Sequence, residues 1–198
     1  MPCCAKPGCL ILAGGRGSRL QHADKGLLEV QGRTLIAHIV DQLRGDIDDL
    51  VISANRNHDH YHQYTSRVIA DEARWQQLGP LAGIASALPH CRHDTVLVTS
   101  CDIPFLPDDL CPRLLAAMGD CDVCISETGQ GWQPVFLLHR RCLPDLAATL
   151  DQRQLSLMHW LQRQSHCVVH FDVQAPVFVN INTPEQLLSC TQAAATKS

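Results

Sequence analysis

A short apolar run that enters a glycine turn, near the start of the chain, constrains the fold more than any other stretch. The run extends from Cys9 to Ala13 and is followed by Gly14, Gly15 and Gly17. A run this short, bounded by glycine, favours a buried parallel strand over a helix of ten or more residues. The glycines allow positive φ and a close approach to a ligand because they have no Cβ atom. The stretch therefore predicts a strand that ends in a ligand-binding loop.

The charge of this loop indicates which ligand it binds. Arg16, Arg19 and Lys25 lie in or beside the glycine turn, whose backbone N–H groups can form a concave anion site. A Walker A loop would need a hydroxyl residue after Lys25, where Gly26 stands, and a dinucleotide fingerprint would need a third glycine where Leu20 stands. An ordinary glycine turn remains the alternative, but the three cations favour a triphosphate site.

Polar residues follow the later predicted strands in the same way. Apolar runs at residues 49–53, 67–70 and 95–99 are each predicted to form a strand, and the polar residues after them are Asn55, Asp71 and Asp102. Predicted helices alternate with these strands, which indicates a three-layer α/β/α fold with a mostly parallel sheet. The carboxyl ends of parallel strands meet at one edge, where open α/β sheets bind ligands. A helix-capping role for Asn55 and a helix-entry role for Asp102 are the structural alternatives.

Composition sets the class of protein. The chain has 198 residues, which suits a single domain over 1–198. A net charge of −4 predicts no general attraction to nucleic acid or to an anionic membrane. The N-terminal apolar run is shorter than a signal sequence requires and no apolar stretch is long enough to cross a bilayer, so a cytoplasmic location is expected.

Eleven cysteines, an odd number in a long chain, indicate reduced thiols in the core, with metal or redox use of Cys121 and Cys124 as the alternative.

Local patterns give further expectations. Thr34 is predicted to cap a helix with an apolar face, and His58–His62 is interpreted as the solvated start of a helix rather than a metal site. The segment 79–83 is expected to open a helix over 84–88. A polar loop is expected over 127–132, followed by a strand over 133–138. A strand from Val177 is predicted to end with Asn180 and Asn182 on one face.

The residues Leu12-Ala-Gly-Gly15, Arg19-Leu20 and Asp24-Lys25-Gly26 together resemble the signature of nucleotidyltransferases with a Rossmann-like GT-A fold. The resemblance is closest to the molybdenum cofactor guanylyltransferase (MobA) family. It implies that GMP passes from GTP to the molybdenum-bearing molybdopterin cofactor with release of pyrophosphate, and that Mg²⁺ takes part. In the family, Gly-Pro-Leu-Ala-Gly at 79–83 forms a loop over the base.

The resemblance also implies roles for individual residues. Catalytic roles are implied for Arg19, Lys25 and Asp102, and the metal ligand is Asp102. Contacts with GTP are implied for Leu12, Ala13, Gly14, Gly15, Lys25, Asn55, Asp71 and Asp102. Roles on the acceptor side are implied for Gln133, Asn180 and Asn182. GTP would bind to a half of the domain over about 8–105 and the acceptor to a half over about 106–190.

Three alternatives stay open at the level of sequence. A cytidylyltransferase for the same pterin, or a sugar-phosphate nucleotidyltransferase, would use the same loop and metal site. A non-catalytic carrier of nucleotide or finished cofactor would bind without releasing pyrophosphate. For the enzyme, the expected partners are GTP, molybdopterin and a molybdoenzyme chaperone or apoenzyme that receives the product.

Overall fold

The computed structural model describes residues 6–13, 24–172, 177–181 and 186. In chain order, the strands are β1 (Gly8–Leu12), β2 (Glu29–Val30), β3 (Arg33–Thr34), β4 (Asp49–Ser53), β5 (Val68–Ile69), β6 (Thr95–Ser100), β7 (Val123–Thr128), β8 (Gly131–His139) and β9 (His166–His170). The helices are α1 (Leu35–Leu43), α2 (His58–Tyr61), α3 (Pro80–Ala87), α4 (Leu110–Met118), α5 (Leu143–Asp151) and α6 (Leu157–Arg163). None of the helices in these ranges has the length and apolar character needed to span a bilayer.

Seven strands form one sheet in the order β5-β4-β1-β6-β8-β7-β9. β1 pairs in parallel with β4 and β6, β4 with β5, and β7 with β9, whereas β8 is antiparallel to both of its neighbours. The predicted mostly parallel sheet is therefore confirmed. The chain places β4 and β5 on one side of β1 and β6 on the other, so the strand order reverses beside β1. Open α/β sheets form their ligand crevice at such a point.

Helices cover both faces of the sheet. Cys9 and Ile11 of β1 pack into a core that also contains the apolar sides of α1 and α4. Leu10 and Leu12 face the opposite way, into a core shared with α3, α5 and α6. Because successive strand residues point to opposite faces, burial on both sides requires an uninterrupted apolar strand. This burial explains the run from Cys9 to Ala13 and confirms the three-layer architecture.

The small hairpin of β2 and β3 leads into α1. Gln31 and Gly32, which connect the two strands, have φ of 52° and 71°, as the favoured two-residue hairpin turns require. Thr34 then caps α1 as predicted, because its Oγ1 accepts a hydrogen bond of 3.4 Å from the amide of Ala37. The hairpin thus joins the N-terminal strand region to a helix on one face of the sheet.

Two predicted boundaries were wrong. The expected polar loop over 127–132 is a tight connection, because β7 continues to Thr128 and β8 begins at Gly131, and these two residues pair with each other. Backbone hydrogen bonds make this pairing, so it does not require an apolar sequence. α3 begins at Pro80 rather than at residue 84, because proline suits the first turn of a helix.

The predicted strand that begins at Val177 is also absent from the described part of this segment. Residues 177–181 form no strand, and Phe178 has a φ of 58°, in the left-handed region rather than the extended one. Its ring packs edge-on against Phe171 with a centroid distance of 5.4 Å. Packing of this aromatic pair and two main-chain hydrogen bonds, from Phe178 to Phe105 and from Ile181 to Asp102, hold the segment across the sheet edge instead of along a neighbouring strand.

Candidate active site

The strand register places the predicted nucleotide residues at one level. Leu12 of β1 pairs with Ser53 of β4 and with Ser100 of β6, and Ser53 pairs with Ile69 of β5. The predicted site residues lie two positions beyond these four aligned residues: Gly14, Asn55, Asp71 and Asp102. Of these, Gly14 lies outside the described residues. The others leave the sheet at the same edge, beside the point where the strand order reverses.

Leu12 and Ala13 lie between the ends of β4 and β6. The amide of Ala13 donates to the carbonyl of Ser53 at 2.8 Å, and the amide of Cys101 donates to the carbonyl of Leu12 at 3.0 Å. Both Leu12 and Ala13 have buried side chains. Any contact of theirs with a nucleotide would therefore involve the main chain.

The central pair of the site is Lys25 and Asp102. The ammonium nitrogen of Lys25 lies 3.0 Å from Oδ2 of Asp102, and the two side chains are 21% and 16% exposed. Oδ1 of Asp102 accepts a hydrogen bond of 2.6 Å from the hydroxyl of Ser100. Two residues far apart in sequence and predicted to be catalytic are thus in direct contact. A cation and a carboxylate at the mouth of a crevice suit a phosphate ligand with a divalent metal ion.

Lys25 stands on a short 3₁₀ turn, Lys25–Leu27, that is fixed by Asp24. Oδ1 of Asp24 accepts from the amide of Gly26 at 3.2 Å and from the hydroxyl of Tyr61 at 2.6 Å. Its Oδ2 accepts a hydrogen bond of 2.9 Å from the side-chain amide of Asn57, and Nε of Arg56 lies 3.9 Å from the same oxygen. The turn that carries the lysine is therefore tied to the segment after β4.

Asn55 and Asp71 form a second pair at this edge. The side-chain amide of Asn55 donates to Oδ2 of Asp71, and its carbonyl oxygen accepts from the Asp71 amide, each at 2.8 Å. Burial raises the pKa of the Asp71 carboxyl, although hydrogen bonds from Asn55 and from the main chain of Gln77 oppose the shift. The reciprocal bonds fix both side chains at the ends of β4 and β5. The helix-capping alternative for Asn55 is not what the structure shows, because α2 begins with no side-chain cap.

A cavity of about 720 Å³ opens at the same edge, beyond the ends of β7 and β9. Gln133 and Asn180, both predicted for the acceptor side, line this cavity together with Thr128, Phe171 and Phe178. The side-chain amide of Gln133 donates to Oγ1 of Thr128 and to the carbonyl of Gly131, each at 2.9 Å. A cavity of this size can enclose a drug-sized molecule.

The Gly-Pro-Leu-Ala-Gly segment mostly serves packing. Gly79 has a φ of 85° and Pro80 starts α3, while the following residues of the helix are buried. A Cβ atom on Gly83 would lie 2.7 Å from the hydroxyl oxygen of Ser53, so the second glycine allows α3 to approach β4. Of the motif, only Gly79 and Pro80 are exposed. A role over the base would fall to these two residues.

Several predicted residues lie outside the described ranges. They are Gly14, Gly15, Arg16, Gly17, Arg19, Leu20, Asn182, Thr183 and Pro184. Their predicted roles stay predictions. Among the described residues, no group of three or more His, Cys, Asp or Glu side chains is arranged to hold a metal ion. A magnesium site of the predicted type needs fewer protein ligands, because Mg²⁺ binds through one or two carboxylates plus phosphate oxygens and water.

The cysteines and histidines that the sequence singled out have structural surroundings. The eight cysteines of the described ranges are free thiols. Cys124 is buried in β7 and pairs in register with Cys167 of β9, and burial raises the pKa of its thiol. In the histidine run, the ring of His58 contacts the carbonyl of Ala54 at 2.8 Å, but Tyr61 within the run is completely buried. The prediction that this run is solvated was therefore wrong for the tyrosine.

Comparison with known proteins agrees with this geometry. A family model described as the MobA-like NTP transferase domain matches residues 9–168. A molybdenum cofactor guanylyltransferase from Shewanella baltica is 39% identical over 180 residues, which covers 89% of this chain and 91% of the relative. The chain belongs to the MobA-like NTP transferase family. The predicted family membership is thus confirmed.

Solved structures of the same fold extend to other nucleotides. Molybdopterin-guanine dinucleotide biosynthesis protein A from Archaeoglobus fulgidus superposes with a TM-score of 0.76 at 22% identity, covering 96% of this chain and 99% of that one. CMP:2-keto-3-deoxy-manno-octonic acid synthetase in complex with CTP superposes with a TM-score of 0.74 at 12% identity, covering 98% and 100%. The Rossmann-like nucleotidyltransferase fold is therefore confirmed. Since one of these proteins was solved with CTP, the fold by itself does not determine the base.

The structure adds functional candidates that sequence reasoning missed. Asp24 was part of the recognised signature but received no role, and Tyr61 and Ser100 were not considered. The signal for Tyr61 was an aromatic residue inside an otherwise polar run, because such a side chain usually seeks burial and a partner for its hydroxyl. The signal for Ser100 was its position two residues before Asp102, because a serine hydroxyl so close along the chain can donate a hydrogen bond to the carboxylate.

Proposed function

We propose that this protein transfers GMP from GTP to the terminal phosphate of molybdenum-bearing molybdopterin and releases pyrophosphate. The observation that carries the proposal is the Lys25–Asp102 pair, 3.0 Å apart, at the edge where β1 and β6 end. The names of the guanylyltransferase relatives support the reaction and the two substrates. The proposal assigns a half of the domain over about 8–105 to GTP and a half over about 106–190 to the acceptor.

In the proposed reaction, an oxygen of the acceptor phosphate attacks the α-phosphorus of GTP. The bond from that phosphorus to the oxygen bridging to the β-phosphate breaks, and its electron pair leaves with pyrophosphate. The acceptor phosphate is already anionic at neutral pH because its second pKa is about 6, so no strong base is required. The barrier is mainly repulsion between anions, and positioning together with positive charge lowers it.

The residues divide this work. Lys25 stabilises the charge that develops on the transferred and leaving phosphoryl oxygens, and Arg19 joins it by family resemblance. The carboxylate of Asp102 fits a hard divalent cation, and Mg²⁺ bound there would neutralise phosphate charge. Asn55 and Asp71 are assigned to the nucleoside, where a carboxylate and an amide can bind ribose hydroxyls and the base. The main chain of Leu12, Ala13, Gly14 and Gly15 would approach the phosphates.

The cavity lined by Gln133 and Asn180 is proposed to hold the acceptor. A hydrogen bond of 2.8 Å from the amide of Ile181 to the carbonyl of Asp102 connects the chain segment beside the cavity to the catalytic pair. Asn180, directly before Ile181, lines the cavity, and Asn182, directly after it, is the other predicted asparagine. This link supports an acceptor whose pterin end occupies the cavity and whose phosphate reaches Asp102. The finished dinucleotide would then pass to a molybdoenzyme chaperone or apoenzyme in the cytoplasm.

The test is pyrophosphate release with GTP, CTP and ATP in turn, each with Mg²⁺ and molybdopterin, with and without molybdate. Release with GTP that depends on the pterin is the expected result. Release with CTP instead would keep the mechanism and identify a cytidylyltransferase. Release with GTP and a sugar phosphate in place of the pterin would overturn the acceptor. Binding of a triphosphate without any release would favour the carrier.

A further inference from the structure

A buried carboxylate lies next to the proposed catalytic lysine in sequence. The side chain of Asp24 is only 5% exposed, and both of its oxygens have hydrogen-bond donors from separate parts of the chain. Oδ1 binds the amide of Gly26 and the hydroxyl of Tyr61, and Oδ2 binds the side chain of Asn57. A buried charge is costly unless it is paired and hydrogen-bonded, so this arrangement has to serve either the fold or the site.

The contact with Tyr61 is tight and buried. Tyr61 is completely buried, and its hydroxyl lies 2.6 Å from Asp24, as in a charge-assisted hydrogen bond. A Cβ atom on Gly26 would lie 2.5 Å from the same hydroxyl oxygen, so the glycine is what allows the phenol to reach the carboxylate. Burial and the bond to Asp24 both raise the pKa of Tyr61, which keeps the hydroxyl a donor.

These bonds fix the chain on both sides of Lys25. Asp24 precedes the lysine and Gly26 follows it, and Oδ1 of Asp24 accepts hydrogen bonds from both the Gly26 amide and the phenol. The donors occupy both oxygens of the Asp24 carboxylate. The ammonium of Lys25 lies 3.0 Å from Asp102. The segment that carries Tyr61 starts directly after Asn55, so one stretch of chain shapes both the proposed nucleoside and phosphate positions.

We infer that Tyr61, acting through Asp24, is a positioning residue that holds Lys25 at Asp102 for phosphoryl chemistry. The inference rests on the proposed function for its kinetic consequence, but the placement of Lys25 can be tested without turnover. A purely structural role for the phenol would lower stability and leave the reactivity of Lys25 unchanged once the protein is folded.

The test compares Tyr61→Phe with Tyr64→Phe. Tyr64 is a matched control, because its hydroxyl also makes one side-chain hydrogen bond, of 3.1 Å to Oγ1 of Thr34, but does not lead to Lys25. The first readout is the rate of acetylation of Lys25 by acetic anhydride, followed by peptide mass spectrometry and normalised to the exposed Lys6. The second is kcat and KM for GTP in pyrophosphate release, measured also with Lys25→Ala present.

In Tyr61→Phe, Lys25 is expected to react about three times faster or more, since loss of a hydrogen bond to a charged group frees the turn. kcat should fall about tenfold with a change in KM for GTP of less than about threefold, as for an interaction made mainly in the transition state. With Lys25→Ala present, Tyr61→Phe should change kcat by less than about twofold, because its effect passes through the missing lysine. Tyr64→Phe should match the wild type in the acetylation rate of Lys25, in kcat and in KM for GTP, and should leave the kcat of Lys25→Ala unchanged.

Different results would overturn different claims. If Tyr61→Phe leaves Lys25 acetylation unchanged, or if its effect on kcat is the same with and without Lys25, the positioning role is wrong. If the wild type releases no pyrophosphate with any triphosphate, the proposed function fails, while the acetylation result still decides whether Tyr61 positions the lysine. If Tyr61→Phe does not fold, Asn57→Ala tests the step through Asp24, because it removes a donor to Oδ2 of Asp24 and leaves the buried phenol in place. Unchanged acetylation of Lys25 in that variant would overturn the inference that the bonds to Asp24 position the lysine.

Discussion

Removing the ammonium of Lys25 should separate catalysis from stability. The ion pair with Asp102 spans 3.0 Å, but both side chains are partly exposed, so solvent screens it and its loss should cost about 1 kcal/mol of folding free energy or less. In a chain of this size that corresponds to a fall in melting temperature of about 2–4 °C. The same ammonium should stabilise phosphoryl charge in the transition state by far more than about 1 kcal/mol, because water is excluded there.

Loss of one preorganised electrostatic group typically lowers the rate by about a hundred- to a thousandfold. Lys25→Ala and Asp102→Ala should therefore each lose most pyrophosphate release while remaining folded. The assay is pyrophosphate release at saturating GTP and pterin with Mg²⁺, paired with thermal unfolding of the same preparations. Arg44→Ala is the control, because it removes a cation from an exposed ion pair with Asp41, 3.3 Å apart, away from the strand ends.

The control should keep its rate within about twofold of the wild type, as expected for a surface ion pair. A rate for Lys25→Ala within about threefold of the wild type would refute the electrostatic argument, since it asks for at least about 2.7 kcal/mol. A fall in melting temperature beyond about 8 °C would mean that the pair holds the fold together. In that case the loss of rate would say nothing about catalysis.

Three other predictions follow from the described contacts. Burial would raise the pKa of Asp49, but hydrogen bonds from Arg67 and from the main chain of Arg92 outweigh it and lower that pKa. Asp49→Asn should therefore lower the free energy of unfolding by about 2–4 kcal/mol near pH 7. In urea unfolding, this difference from the wild type should shrink below about pH 4, where the carboxyl of the unfolded wild type takes up its proton. Gly83→Ala should lower stability by about 1–3 kcal/mol through overpacking, and adding Ser53→Ala should restore part of it in thermal melts. Gln133→Ala should raise KM for the pterin and leave KM for GTP unchanged in steady-state assays.

Much of the fold was accessible from the sequence because β1 and β6 are buried on both faces. Such strands are mostly apolar, and the first charged residue after β6 marks where the chain leaves the sheet. Asp102 was predictable for that reason, and Lys25 by the family signature. The strand register then explains why residues so far apart along the chain reach one level.

The remaining features depend on contacts between residues that no periodic pattern connects. The bond between Asp24 and Tyr61 joins a turn after β1 to a helix after β4, and the surrounding histidines made Tyr61 look solvated. The left-handed backbone of Phe178 is fixed by its packing against Phe171, which an apolar run cannot encode. Sequence patterns indicate which residues are buried, whereas these features depend on which residues, distant along the chain, they pack against.

The hydrogen bond from the amide of Ile181 to the carbonyl of Asp102 bears on how the protein matures during synthesis. A nascent chain that has emerged only as far as residue 105 already contains Asp102 but lacks the segment that braces its backbone. Closing so large a loop is entropically costly and has to await packing of the later strands. The growing chain therefore completes this edge of the sheet only after residue 181 has been made, and cutting it after residue 105 would leave a fragment without that brace.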